Sequence, residues 1–204
     1  MSDQLSLSIW LERGSRANRL KHFEKLLRLF PFSQREEQGQ TTVSVQAVSV
    51  TEPPLLESPM NGPIDVNEVL AALADYAGDD IAYTVESWWD LWQYDSRQKQ
   101  DDWKLAPARV SLACFGPDFD NGTERLLGEQ EDLRIDFGVD SHYLPRPDVP
   151  GSARLTESNI KSLLRLVHEL DATLPVLKRK LETESGENFA QRLQQSLESK
   201  RAGG

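Results

Sequence analysis

The residues of this sequence whose types and spacing could do chemistry lie on one predicted β-hairpin. The runs Ile81–Tyr94 and Trp103–Phe115 are rich in β-branched and aromatic residues, and a polar stretch separates them, which predicts two long strands joined by a loop. Side chains alternate between the two faces of a strand, so parity assigns each residue to a face. We expect one face of the hairpin to belong to the core, with Trp89, Leu91, Val110 and Leu112 among its side chains.

The opposite face of this predicted hairpin mixes aromatic rings with charges. Aromatic rings beside a few polar groups are typical of binding surfaces, because they give a large contact area at a low entropic cost. The alternative is that a helix covers the tryptophans and leaves the charges at the rim, since large aromatic side chains are usually mostly buried. We take the following as candidate binding residues: Glu86, Trp88, Asp90, Trp92, Trp103 and Arg109.

A catalytic carboxylate pair on the hairpin is not expected. Glu86 and Asp90 are four positions apart on a strand, which separates them by about 13 Å along the backbone. That separation is wider than the carboxyl spacing of either class of glycosidase. We therefore assign no catalytic residue.

Metal and cofactor motifs are also missing from the sequence. No histidine stands in an H-E-x-x-H spacing, and Cys114 is the single cysteine, in a run typical of a buried strand. Asp118 and Asp120 lack the later ligands of a calcium loop and are typical of a turn. The sequence contains no G-x-G-x-x-G, P-loop or G-x-S-x-G motif. We expect no metal and no cofactor.

The charge distribution narrows the choice of partner. The net charge is −10, and residues 41–150 hold seven Lys and Arg against 21 Asp and Glu, a net −14. So acidic a segment repels phosphate backbones and anionic lipid, so we expect neither nucleic acid nor a membrane as partner. Either the charge serves solubility alone, or it attracts a basic protein partner.

Periodicity in the rest of the chain predicts the elements around the hairpin. Residues 52–63 contain four prolines and are predicted to have no regular structure. The predicted fold is α+β: a mixed, largely antiparallel five-stranded sheet with helices packed mainly on one face. Residues 1–175 are assigned to a single domain and 176–204 to a partly frayed C-terminal helical extension. Other predicted strands are Leu5–Leu11, Thr42–Val50 and Leu133–Phe137, and predicted helices end near Phe30, Tyr76, Leu170 and Glu184.

The functional expectation is a non-catalytic, acidic interaction protein that binds a protein partner through the hairpin face. A cytoplasmic location fits the single cysteine and the N-terminus, which has neither a basic start nor a long apolar stretch. Two alternatives stay open. One is a hydrolase-like enzyme whose site assembles from Asp136, His142 and loop residues, and the other is a small-molecule binding module that uses the tryptophans. The sequence does not indicate an oligomeric state.

Overall fold

The structure is a computed structural model that describes residues 3–12, 18–35, 39–95, 102–122, 130–146, 148–183, 185 and 189. The described strands are β1 (Gln4–Leu11), β2 (Thr41–Ala47), β3 (Leu56–Met60), β4 (Ile81–Asp95), β5 (Asp102–Phe115), β6 (Leu133–Val139) and β7 (Val176–Thr183). The α-helices are α1 (Arg19–Leu29), α2 (Val66–Leu73) and α3 (Ser152–Thr173), and a short 3₁₀ helix spans Asp140–His142. No helix in these ranges is long and apolar enough to cross a membrane.

The strands form one sheet in the order β3-β2-β4-β5-β6-β1-β7. The prediction of five strands in a mixed sheet is wrong, because the sheet has seven strands and all of the pairings between these strands are antiparallel. Although β1, α1 and β2 follow one another along the chain, β1 does not pair with β2. It lies instead between β6 and β7.

One missed strand, β3, lies within the segment predicted to be irregular. Its Pro59 pairs with Thr42 of β2, although a proline cannot donate a hydrogen bond to a neighbouring strand. The position tolerates proline because β3 is at the edge of the sheet. The prolines were therefore evidence against a central strand and not against an edge strand.

The other missed strand, β7, replaces the helix predicted from Val176 to Glu184. Leu, Lys, Arg and Glu dominate this stretch and favour a helix in isolation. Pairing with β1 from Leu5–Thr183 to Leu11–Val176 overrides that local preference. Most of the predicted extension after Thr183 is outside the described residues. Phe189 is described, and its buried ring packs edge-on against Tyr143. The division at residue 175 stays a prediction.

The predicted hairpin register is confirmed. Trp88 lies opposite Arg109, while Trp89 lies opposite Ala108 and Leu91 opposite Ala106. The parity row with Trp89 and Leu91 is buried in the main hydrophobic cluster, which also contains the buried side chains of all three helices. We call the opposite side of the sheet the outer face. Its separate apolar cluster is small and contains no residue of the described helices: Ala82, Ala113, Phe115 and Phe119.

Candidate functional site

The β4–β5 hairpin is longer than the strands beside it. The β2 pairing with β4 extends to Glu86, and the β6 pairing with β5 extends to Ser111. Beyond these residues β4 and β5 pair with each other as far as Asp95 and Asp102. Two-stranded ribbons twist more strongly than wide sheets, so the outer-face side chains of this projecting part are expected to turn toward other parts of the chain. The six candidate binding residues consequently have different surroundings.

Glu86, Trp88 and Arg109 stay together on the outer face. The Arg109 guanidinium donates to the Glu86 carboxylate, and the two side chains are 66% and 40% exposed. Trp88 is half-buried, and its indole N–H donates to the Gln40 carbonyl at 3.2 Å. The backbone at Gly39 lies against the Trp88 ring, since a Cβ there would lie 2.5 Å from a ring carbon. We call Glu86, Trp88 and Arg109 the outer hairpin site.

Asp90 is held by the segment that follows α1. It accepts a hydrogen bond from the Ser33 hydroxyl at 2.8 Å and another from Arg35 Nε at 3.3 Å. The Ser33 backbone N–H also donates to the Trp88 carbonyl, so this segment continues the pairing on the edge of β4. Asp90 therefore fastens a connection to the sheet and is not free for a partner. The charge of Arg35 is the one feature of the sequence that could have indicated this contact with Asp90.

The Trp92 backbone contacts α3, and the Trp103 ring contacts the connection between β6 and α3. The Asn159 side chain accepts from the Trp92 N–H at 3.0 Å and donates to the Trp92 carbonyl at 2.9 Å, so it replaces a neighbouring strand. The Trp103 indole N–H donates to the Pro150 carbonyl at 2.8 Å. Its ring packs on Tyr94 with a centroid distance of 5.6 Å. These contacts give the Trp92 backbone and the Trp103 ring a structural role.

No described helix covers Trp88, which is packed by residues 39–40 instead. Only the outer hairpin site combines exposure, charge and an aromatic ring among the six candidates. An ion pair beside an indole can form hydrogen bonds and apolar contacts with a protein surface.

The structure places Asp136 and His142, the two named residues of the hydrolase alternative, in different surroundings. Asp136 is on the outer face of β6, between Ser6 of β1 and Ser111 of β5. Burial raises its pKa to about 6, against an opposing effect of Arg134. His142 belongs to the 3₁₀ helix, and its carbonyl accepts a hydrogen bond from Asn159 of α3. Burial lowers the pKa of His142, and the negative charge of Asp140 partly opposes this decrease.

Cys114 and the predicted turn match their expected surroundings. Burial raises the pKa of the Cys114 thiol to about 12, which leaves it protonated and unreactive at neutral pH. The Asp120 carboxylate accepts from the Gly122 N–H at 3.0 Å, as in a turn closed by an aspartate side chain. Within the described ranges, no group of three or more His, Cys, Asp or Glu residues could hold a metal ion.

One cleft of about 410 Å³ lies between the end of α1 and the start of α2. Its apolar walls include Leu27, Phe30 and Ile64, and Arg28 lies beside them. Trp88, Trp92 and Trp103 do not line this cleft, so it does not support a small-molecule site built from the tryptophans.

Comparison of this chain with protein-family models, with curated proteins and with solved structures finds no match.

Proposed function

We propose that this chain is a non-catalytic binding protein that contacts a protein partner through the outer hairpin site. The observation that carries the proposal is the exposed Glu86–Arg109 ion pair beside the half-buried ring of Trp88. Trp and Arg side chains are enriched among residues that dominate the energy of protein interfaces. The site lies on the outer face, whose apolar cluster contains no residue of the described helices.

The charge of the chain suggests how such a partner approaches. Within the outer hairpin site the two charges cancel, so the site itself does not select the sign of the partner. The net charge of −10 acts over a longer range and favours a basic partner. Association with such a partner should be faster at low salt, where the charges are screened less. The same charge disfavours nucleic acid and anionic membranes. A cytoplasmic location belongs to this proposal and is supported by the single, buried cysteine.

Site-specific photo-crosslinking tests the proposal in cells. A photoreactive amino acid at Leu105, which is 37% exposed on β5 opposite Trp92, reports on the outer side of the hairpin. The same amino acid at Leu164, 56% exposed on α3, is the matched control. We expect a defined adduct with a protein from position 105 and none from 164, and the adduct should disappear in the Arg109→Glu background. Adducts that form equally at both positions, or that persist with Arg109→Glu, contradict the proposal.

A further inference from the structure

A second surface is formed by the loop between β2 and β3. Residues 48–55 expose three large aliphatic side chains: Val48 at 57%, Val50 at 41% and Leu55 at 55%. The other exposed large apolar residues in the described chain are dispersed over β5, α3 and β7. Single exposed apolar residues are ordinary, whereas three within eight residues of one loop make this loop a candidate for contact with another protein.

Backbone hydrogen bonds fix this loop to two neighbouring loops. The Val48 N–H donates to the Asp80 carbonyl, and the Asp120 N–H donates to the Val48 carbonyl, both at 2.8 Å. The Val50 N–H donates to the Asp120 carbonyl at 3.0 Å. The aliphatic side chains are thus presented on an ordered backbone, which reduces the entropy lost when a partner binds.

The backbone of Val48 has a conformation that disfavours valine. Its φ of 69° lies in the left-handed region, where a β-branched side chain is a genuine outlier and glycine or asparagine is comfortable. The side chain of Val48 is also exposed, so burial in the core does not compensate for the strain. Neither the local backbone conformation nor core packing favours a valine at this position.

The surroundings of these aliphatic residues are acidic. The three neighbouring segments 48–55, 75–80 and 116–122 contain no lysine or arginine. They contain six carboxylates, all on exposed residues: Glu52, Asp75, Asp79, Asp80, Asp118 and Asp120. One basic side chain from elsewhere, Arg19, approaches Asp79 at 3.5 Å and donates to the Gly78 carbonyl. A second copy of the chain would bring the same negative charges to this surface and would be repelled.

We propose that this acid-rimmed loop surface binds a basic protein segment whose lysine or arginine residues flank apolar side chains. Apolar contact with Val48, Val50 and Leu55 supplies affinity, and the surrounding carboxylates select the positive charge. The surface is separate from the outer hairpin site. Asp80 comes directly before β4 and is eight residues from Trp88, which corresponds to about 26 Å in an extended strand. A substitution at one surface is therefore not expected to affect binding at the other.

Synthetic peptides of matched length test this proposal by NMR titration of the labelled full-length protein. A peptide that alternates lysine with leucine should shift the amide signals of residues 48–55, 79–80 and 118–120, and its affinity should fall with added salt. A lysine–serine peptide and a glutamate–leucine peptide should bind at least about tenfold more weakly, a difference of about 1.4 kcal/mol. Equal binding of either control peptide, or shifts confined to other residues, overturns the proposal.

Two variants separate recognition from folding. Val48→Gly removes the exposed side chain and relieves the backbone strain, so Tm should stay equal or rise while peptide affinity falls about fivefold or more. Leu55→Ala should weaken binding similarly, and Leu177→Ala, which truncates a leucine with 59% exposure on β7, should not. Unchanged affinity in Val48→Gly and Leu55→Ala overturns the proposal. Analytical ultracentrifugation gives a second way to overturn the proposal. If the natural chain forms a dimer that Val48→Gly abolishes, the surface serves self-association and not binding of a basic segment.

Discussion

The half-buried carboxyl of Asp136 makes stability depend on pH in a direction opposite to that of most carboxylates. Its cross-strand neighbours are Ser6 and Ser111, and the Arg134 guanidinium offsets only part of the desolvation, so the pKa rises from 3.8 to about 6. Between about pH 4 and pH 6 the unfolded chain releases this proton while the folded chain retains it. Ionisation therefore stabilises the unfolded chain, and the free energy of unfolding falls as the pH rises through this range.

The size of the effect follows from the pKa difference. The pKa of Asp136 rises from 3.8 to about 6, and each unit of this difference corresponds to about 1.4 kcal/mol. The free energy of unfolding therefore falls by about 3 kcal/mol in total, and the decrease is complete above about pH 6. Asp136→Asn cannot ionise and lacks this dependence. We expect the variant to gain about 3 kcal/mol relative to the natural chain when the pH is raised from about 4 to about 7.

Urea denaturation of both chains across this pH range measures the difference directly. Glu131, whose pKa burial also raises, remains in both chains, so its contribution largely cancels in the comparison. Carboxyl NMR titration of the folded protein gives the pKa of Asp136 independently. A stability difference that does not change with pH, or that changes in the opposite direction, would refute the reasoning that desolvation dominates at Asp136.

Three further predictions concern folding. Asn159→Ala should lower the free energy of unfolding by about 3 kcal/mol in urea denaturation. The reason is that three backbone groups lose their hydrogen-bond partner: the carbonyls of Trp92 and His142 and the Trp92 N–H. A loss below about 0.5 kcal/mol contradicts this role. Cys114 should react with a thiol reagent at neutral pH only as fast as the chain unfolds, and rapid labelling of the folded protein would show that the thiol is accessible. Gly116→Ala should destabilise by about 1–3 kcal/mol in the same assay, since its Cβ would lie 2.1 Å from the Asp79 carbonyl oxygen, and an unchanged midpoint would show that the loop yields freely.

Much of the hairpin could be predicted from sequence because strand parity is a local property. Alternation alone assigned Trp88 and Trp89 to opposite faces, and the register bears this out. The surroundings of each outer-face residue could not be predicted in the same way. Arg35 reaches Asp90 from 55 positions away, and Pro150 reaches Trp103 from 47 positions away. Such contacts depend on where the chain crosses the sheet, and periodicity carries no information about that.

The strands β3 and β7 were not predicted from the sequence, for two different physical reasons. β7 has the composition of an exposed helix, and only its pairing with β1 makes it a strand. β3 contains a proline that an edge strand tolerates, and the sequence does not reveal which strands are edges. The charge count anticipated an acidic surface but not its position. Three loops that are distant in sequence meet at Val48, Asp80 and Asp120.

Affinity of a charge-swapped variant for the crosslinked partner tests the outer hairpin site most directly. Glu86→Arg with Arg109→Glu keeps an ion pair between the same two positions and reverses its direction, so folding stability should stay within about 0.5 kcal/mol of the natural chain. We predict that the swapped protein keeps its Tm and binds the purified partner at least about tenfold more weakly, since a partner that matches Glu86 and Arg109 meets two reversed charges. Unchanged affinity with unchanged Tm would contradict the account, because the ion pair would then serve only the hairpin.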